Sequence, residues 1–392
     1  MPRYIIDEAT LRRNLEMLKS VSDRTGARIL LAQKAFSCAA TYPLCAQYLA
    51  GTTASSLFEA KHGHDNFGGE THVFAPAFIP EEMDELLGLV DHIVFNSPRQ
   101  VALYGKMARA RGVSVGLRVN PEVSVATTPA YDPCRPGSRL GTTRTAWEKY
   151  RDDIRQTTVS CRLPSAISQL PTIDGLHFHC LCEQGVDELR KVLAGFEAKF
   201  GDLLPRMKWV NFGGGHHITR ADYDVDGLVA LVLDFRRRHP HLTVYLEPGE
   251  AVALNAGTLE ATVLEIQPPV DGVSNAILDV SAACHMPDVL EMPYTPRVTG
   301  ADALERVHPV GRAHVYRLGG PTCLAGDTIG TYSFPRPLAE GDKVVFEDMA
   351  IYSMVKNNTF NGVNLPDIVL RHASGTEETI RTFGYADFAG RL

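Results

Sequence analysis

The sequence predicts two folds in one chain: an α/β part, a TIM-like (β/α)8 barrel, followed by an all-β C-terminal domain. Three observations carry this. Eight strand-like runs alternate with helical patterns through the first two-thirds of the chain. After about Gly249 the texture changes to short β-rich runs punctuated by Pro and Gly. The residues least suited to a barrel core (a lysine, a histidine, a triple glycine and a glutamate) all fall at strand ends, where barrel enzymes keep their active sites.

The eight strands are expected at 29–33, 52–55, 72–75, 92–96, 114–120, 173–179, 208–212 and 242–247. Helical patterns separate most of them, at 81–90, 98–111, 187–200 and 222–239. The stretch 121–170 has to hold loops and a helix around 145–158. A doubly wound open sheet is the alternative reading of the same alternation. The later strands are expected at 257–266, 275–280, 314–318 and 343–347, and the strand-like opening 3–6 could pair with them. The barrel is therefore assigned to 8–250 and the β domain to 251–392, joined by an N-terminal strand within 1–7. No internal repeat of 20 to 50 residues is evident.

The 392 residues exceed one core and suffice for two domains. Apolar content of 44% and charged content of 22% are ordinary for a globular protein. A net charge of −7 argues against nucleic acid as a partner and mildly favours a small cationic substrate. No apolar run approaches the length that spans a bilayer, and the opening Met-Pro-Arg-Tyr-Ile-Ile-Asp lacks a signal-peptide core, so a cytoplasmic location is expected. Eight scattered cysteines with no CxxC pair suggest reduced thiols. The densest cluster is His177-Phe178-His179-Cys180-Leu181-Cys182, with His216-His217 further on. Its spacing fits no common zinc pattern, and no metal is expected.

Lys34 closes the apolar run Ile29-Leu30-Leu31-Ala32. A lysine there is costly unless its amine is neutralised, paired or used covalently, and an amine so held could form a Schiff base with an aldehyde cofactor. A snorkelling lysine is the plain alternative. His179 ends the sixth strand and could stack on a ring or be a satisfied core histidine. Gly213-Gly214-Gly215 follows the seventh strand, where barrels often bind phosphate; a tight turn explains it equally. Glu247-Pro248-Gly249 follows the eighth, and Glu247 could pair with a protonated pyridine nitrogen or with an ordinary cation. In the β domain, the turn-rich Gly319–Asp327 loop carries Cys323 and Asp327, and Tyr352 lies five residues past the strand expected at 343–347.

Together these segments resemble the fold-type III pyridoxal-phosphate (PLP) decarboxylases, the alanine-racemase-like group. The stretches 30–37, 51–61, 177–183, 320–327 and 357–362 carry the likeness. Cys284-His285-Met286-Pro287-Asp288-Val289-Leu290-Glu291-Met292-Pro293-Tyr294 is similar to the polyamine branch, which decarboxylates carboxynorspermidine and carboxyspermidine to norspermidine and spermidine.

The resemblance implies that Lys34 holds the cofactor aldehyde, His179 stacks on its ring and Glu247 holds its nitrogen. It further implies that Gly213, Gly214, Gly215, Gly249 and Tyr352 hold its phosphate. Cys323 would reprotonate the α-carbon, reaching across from the second subunit of a homodimer. Asp327 would sit near the substrate amines, and Asp288 and Glu291 are the further candidates for a cationic tail. Ornithine-type relatives carry an acid after the loop cysteine, where this chain has Leu324. Diaminopimelate decarboxylation is the main alternative within the family; a non-catalytic PLP carrier and a zinc-dependent barrel hydrolase are the alternatives outside it.

Overall fold

The structure is a computed structural model that describes residues 1–160, 172–304 and 314–392. It separates into two compact units, Asn14–Val252 and Met1–Arg13 with Ala253–Leu392.

In the first unit eight parallel strands close on themselves. Numbered after the N-terminal strand β1 (Arg3–Asp7), they are β2 (Arg28–Ala32), β3 (Gly51–Ala54), β4 (Glu70–Phe74), β5 (His92–Phe95), β6 (Ser114–Arg118), β7 (Gly175–His177), β8 (Trp209–Asn211) and β9 (Thr243–Leu246). β9 pairs back onto β2 through Arg28 and Tyr245, which rules out the open sheet. The strands are short, and their flanking residues run on as loops that form the C-terminal rim.

Alternate side chains fill the interior. Gly116 and Gly175 leave the room that the Trp209 ring takes: a Cβ on Gly175 would stand 2.0 Å from it. The indole N–H donates to Ser114 Oγ at 2.9 Å, so the one polar atom of this packed ring is satisfied. Leu30, Val94 and Tyr245 complete the cluster.

Helices connect the strands. Those at Pro98–Ala110, Val186–Phe200 and Val225–Arg238 match the sequence pattern, and Arg144–Ser160 covers the helix expected near 145–158. Asp224 caps one of them, accepting from the Gly227 N–H at 2.8 Å. The pattern at 81–90 yields only a 3-10 turn, Pro80–Glu82, and one helical turn, Met83–Leu86. Among the described residues, two helices of ten residues or more lie outside the expected pattern. Glu8–Thr25 carries the buried stripe Leu11, Leu15, Leu18 and Val21 at helical spacing. Leu57–Asn66 buries only Leu57, Ala60 and Gly63, too faint a stripe to stand out.

The second unit is a nine-stranded sheet. β1 lies antiparallel to β10 (Gly257–Ile266) and parallel to β16 (Asp367–Arg371). β11 (Ser274–Leu278), β12 (Asp302–Ala303), β13 (Val315–Gly319), β14 (Thr328–Ser333), β15 (Lys343–Glu347) and β17 (Glu377–Arg381) complete it. Alternation along β10 buries Gly257, Leu259, Ala261 and Val263 and turns Thr258, Glu260 and Thr262 outward, the period of two that marks a strand with one covered face.

Candidate active site

At the barrel's C-terminal rim a cavity of about 350 Å³, open to solvent, is lined by Lys34, Phe74, Arg118, His177, His179 and Glu247, with the ends of β2 and β3. Lys34 lies just beyond β2, solvent-exposed yet deep among protein groups, as a side chain on a pocket floor is. Among the described residues no carboxylate stands within ion-pair distance of its ammonium. Burial and then the nearby Arg118 charge pull its pKa below the ordinary lysine value. Arg118 ends β6 and is itself buried. Burial pushes it down to about 10. Its guanidinium donates to the His179 carbonyl at 3.0 Å and lies over the Phe74 ring at 4.4 Å.

Glu247 follows β9 and is buried. Asn211 Nδ2 donates to its Oε1 at 2.7 Å, and His177 Nε2 lies 3.1 Å from its Oε2. Burial alone would raise its pKa; His177 and Asn211 reverse that and hold it well below the carboxylate range.

The triple glycine turns tightly beneath these groups. Gly213 has φ +71°, and a Cβ there would meet the Phe178 carbonyl at 2.4 Å, so the position needs glycine for backbone shape and for space. Its N–H donates to Asn211 Oδ1 at 2.8 Å, and the Gly214 N–H donates to His179 Nδ1 at 2.8 Å. The second bond fixes the His179 tautomer, with hydrogen on Nε2. Burial, then Lys34 and Arg118, press the His179 pKa well below its usual value. The Gly215 carbonyl accepts from the Gln184 N–H, and Gly249 packs against the end of β2, near Ala32 and Ala35.

The remaining candidates lie in the sheet unit, where three loops share one hydrogen-bond network. Cys323 is exposed, and its N–H donates to Asn361 Oδ1 at 2.9 Å. Asp327 is buried with its carboxylate filled: Ser281 Oγ and Thr322 Oγ1 donate at 2.9 and 2.6 Å, and the Ala283 N–H at 3.3 Å. It therefore braces the Cys323 loop against the segment before Asp288. Asp288 is buried and Glu291 exposed, and the Lys356 ammonium bonds both. Burial would lower the Lys356 pKa, but those two bonds prevail and raise it. Tyr352 is half-buried with φ +38°, a strained backbone for a bulky side chain and of a kind that collects at functional sites.

The chain matches the family model described as pyridoxal-dependent decarboxylase, C-terminal sheet domain, over residues 4–350. It belongs to the pyridoxal-dependent decarboxylases. The carboxynorspermidine/carboxyspermidine decarboxylase of Campylobacter jejuni is 41% identical over 100% of this chain and 98% of its own. A carboxyaminopropylagmatine decarboxylase of Synechocystis is also 41% identical, over 100% of this chain and 95% of its own. The crystal structure of the Campylobacter jejuni carboxynorspermidine decarboxylase with norspermidine superposes with a TM-score of 0.87, at 40% identity and covering both chains fully.

The decarboxylase family takes its name from pyridoxal, and the cavity suits that group. Its lining offers an amine free of ion pairs among the described residues, an imidazole with a fixed tautomer and a buried ionised carboxylate, and the glycine turn is bonded to that imidazole. Arg118, His177, Asn211 and Lys356 escaped the sequence reading. An arginine inside an apolar strand was a usable signal for the first. The sequence offers His177 as a possible metal ligand and as part of the 177–183 stretch, with no role of its own. The other two depend on pairings between distant segments.

Among the described residues, the group spaced for a metal is Glu70, His72 and His92, near the opposite ends of the strands. The two imidazoles stack at 4.0 Å and 8°, so their lone pairs run parallel rather than converge, and Glu70 is already paired with Arg28 at 2.8 Å. These residues read as a packed polar layer.

Proposed function

We propose that this chain decarboxylates carboxynorspermidine or carboxyspermidine, releasing carbon dioxide and norspermidine or spermidine, with PLP as cofactor. Full-length similarity at 41% to a relative of that activity is the observation that carries the reading. The residue roles are proposals that rest on the family resemblance, with the site's geometry as support where it is named. Lys34 holds the cofactor through its amine, whose depressed pKa raises the neutral, nucleophilic fraction. His179 lies on the ring face, Glu247 faces the ring nitrogen, and the Gly213–Gly215 turn, Gly249 and Tyr352 take the phosphate. Gly213 and Gly214 serve through shape, since their own N–H groups already bond Asn211 and His179.

Bound PLP supplies an electron sink for the bond that breaks. Cys323 Sγ then delivers a proton to the substrate α-carbon. Its exposure in the single chain fits a thiol that serves a second subunit, so the active form is proposed as a homodimer. Asp288 and Glu291 receive the cationic tail, which has to displace or join the Lys356 ammonium. Asp327 contributes through the loop it braces. The barrel, 8–250, is proposed as the cofactor domain, and 251–392 with the strand in 1–7 as the domain that supplies Cys323. No described helix is long and apolar enough to cross a membrane, and the described cysteines are free thiols, which supports the proposal of a cytoplasmic enzyme.

The equal similarity to the Synechocystis protein favours one second reading, a carboxyaminopropylagmatine substrate whose tail ends in guanidinium instead of ammonium. Both tails are cationic and suit the same acids. A diaminopimelate tail ends in a carboxylate, which the acidic pair would repel. The test is carbon dioxide release by PLP-saturated protein from carboxynorspermidine, carboxyspermidine, carboxyaminopropylagmatine, meso-diaminopimelate and ornithine. Turnover of either of the first two above the rest supports the proposal. Preference for the third moves the assignment to the guanidinium substrate, and preference for the fourth or fifth overturns it.

A further inference from the structure

Glu247 is only 8% exposed, and a carboxylate at such a depth takes up a proton unless donors hold its charge. It has two, on different oxygens: Asn211 Nδ2 at 2.7 Å and His177 Nε2 at 3.1 Å. The carboxylate accepts, so the His177 hydrogen is on Nε2. The ring's Nδ1 is buried and meets no partner among the described residues, which makes it the bare nitrogen of a neutral imidazole. Burial disfavours the imidazolium and outweighs the charge and hydrogen bond of Glu247, which favour it, and the Arg118 charge adds to burial. Phe74 stacks on the ring at 5.6 Å and holds its plane.

The arrangement follows from strand register. Arg118 on β6 lies opposite His177 on β7, His177 opposite Asn211 on β8, and Asn211 opposite Tyr245 on β9. Glu247 lies two residues past Tyr245 and so points to the same side of the sheet. Barrel closure thereby brings both donors to one carboxylate. A neutral donor leaves that carboxylate its full negative charge, whereas an imidazolium would cancel it within the pair.

We propose that His177 is a positioning residue: with Asn211 it holds Glu247 ionised and aimed into the cavity, so that the counter-charge Glu247 takes up is a protonated ring nitrogen. This rests on the PLP reading above. A purely structural His177 would pack against Phe74 and contribute only to stability.

The test uses the full-length protein reconstituted with PLP, with His177→Gln and His177→Phe. Gln keeps an N–H donor at the reach of Nε2; Phe keeps a stacking ring and loses the donor. Three quantities are measured: the PLP dissociation constant by titration, the pH profile of the bound cofactor's visible band, and kcat against KM. His177→Gln is expected to bind PLP within about threefold of wild type, and His177→Phe to lose about tenfold or more, the worth of one hydrogen bond to a charged group. The Phe variant is also expected to show a shifted pH midpoint of the band and a lowered kcat with KM little changed. Wild-type values in His177→Phe would overturn the proposal. So would equal losses in both variants that track a fall in melting temperature. Wild-type protein that takes up no PLP overturns the functional reading instead, and shows it before either variant is compared.

Discussion

Lys34 and Arg118 share one cavity with a single buried carboxylate, Glu247. Two cations against one anion in a partly desolvated space favour loss of a proton, and lysine gives it up far more readily than arginine. That shifts Lys34 toward the free amine, the form its proposed role needs. Lys34→Ala is expected to abolish turnover and the visible absorbance of PLP-loaded protein; retained activity without added amines would remove Lys34 from the mechanism. Cys323 makes a different demand. Its backbone is fixed by Asn361 while its thiol stays exposed, which suits a proton donor more than a packing residue. Cys323→Ala is expected to bind PLP normally and to slow or misdirect proton delivery, with kcat down by about 10²–10⁴-fold, as for loss of a positioned acid. An unchanged rate and product profile would show that another group delivers the proton.

At the scale of elements, the strand ends were legible and the pairings between them were not. An ionisable residue closing an apolar run marked Lys34, and a glutamate closing another marked Glu247, because a charge at a strand end needs a reason. Nothing local marks Asn211 as the partner of Glu247, since that contact exists only once β8 and β9 are in register. The same holds for Lys356 and Asp288, and for Asp327, which stands out as an acid in a loop but whose role depends on Ser281 and Ala283 from another segment. That last network is open to test. Asp327→Asn turns one accepting oxygen into a donor facing either Ser281 or Thr322. The expected cost is about 1–3 kcal/mol, read as a lower urea midpoint. kcat should fall as the Cys323 loop loosens, with PLP affinity unchanged. Wild-type stability would mean that the loop is held by other contacts.

At the scale of the whole molecule, buried histidines set the acid limit of the fold. Burial pushes His216 and His285 down to about 4, and burial with His72 pushes His92 down to about 3. The unfolded chain protonates these rings near pH 6.5 and the folded chain does not, so below that pH unfolding takes up protons and stability falls. His372 opposes this, its pKa raised by Glu8 and Glu378, but as an exposed pair it adds little. Depressed carboxylates such as Glu247 begin to lose their contribution only below about pH 4.5, so the interval from 7 to 4.5 isolates the histidines. The urea midpoint of the cofactor-free protein is expected to fall steadily across it, and a flat profile would show that these rings titrate in the fold.

The homodimer proposal makes the second whole-molecule prediction. If each active site takes Lys34 from one subunit and Cys323 from the other, the Lys34→Ala and Cys323→Ala proteins damage opposite halves of every site. In a mixed dimer both lesions fall in one site and the other is intact. Random exchange makes half the dimers mixed, so mixing equal amounts of the two proteins is expected to restore about a quarter of wild-type activity. The sum of the two separate rates, with mixed dimers shown to form, would place Cys323 in its own subunit's site.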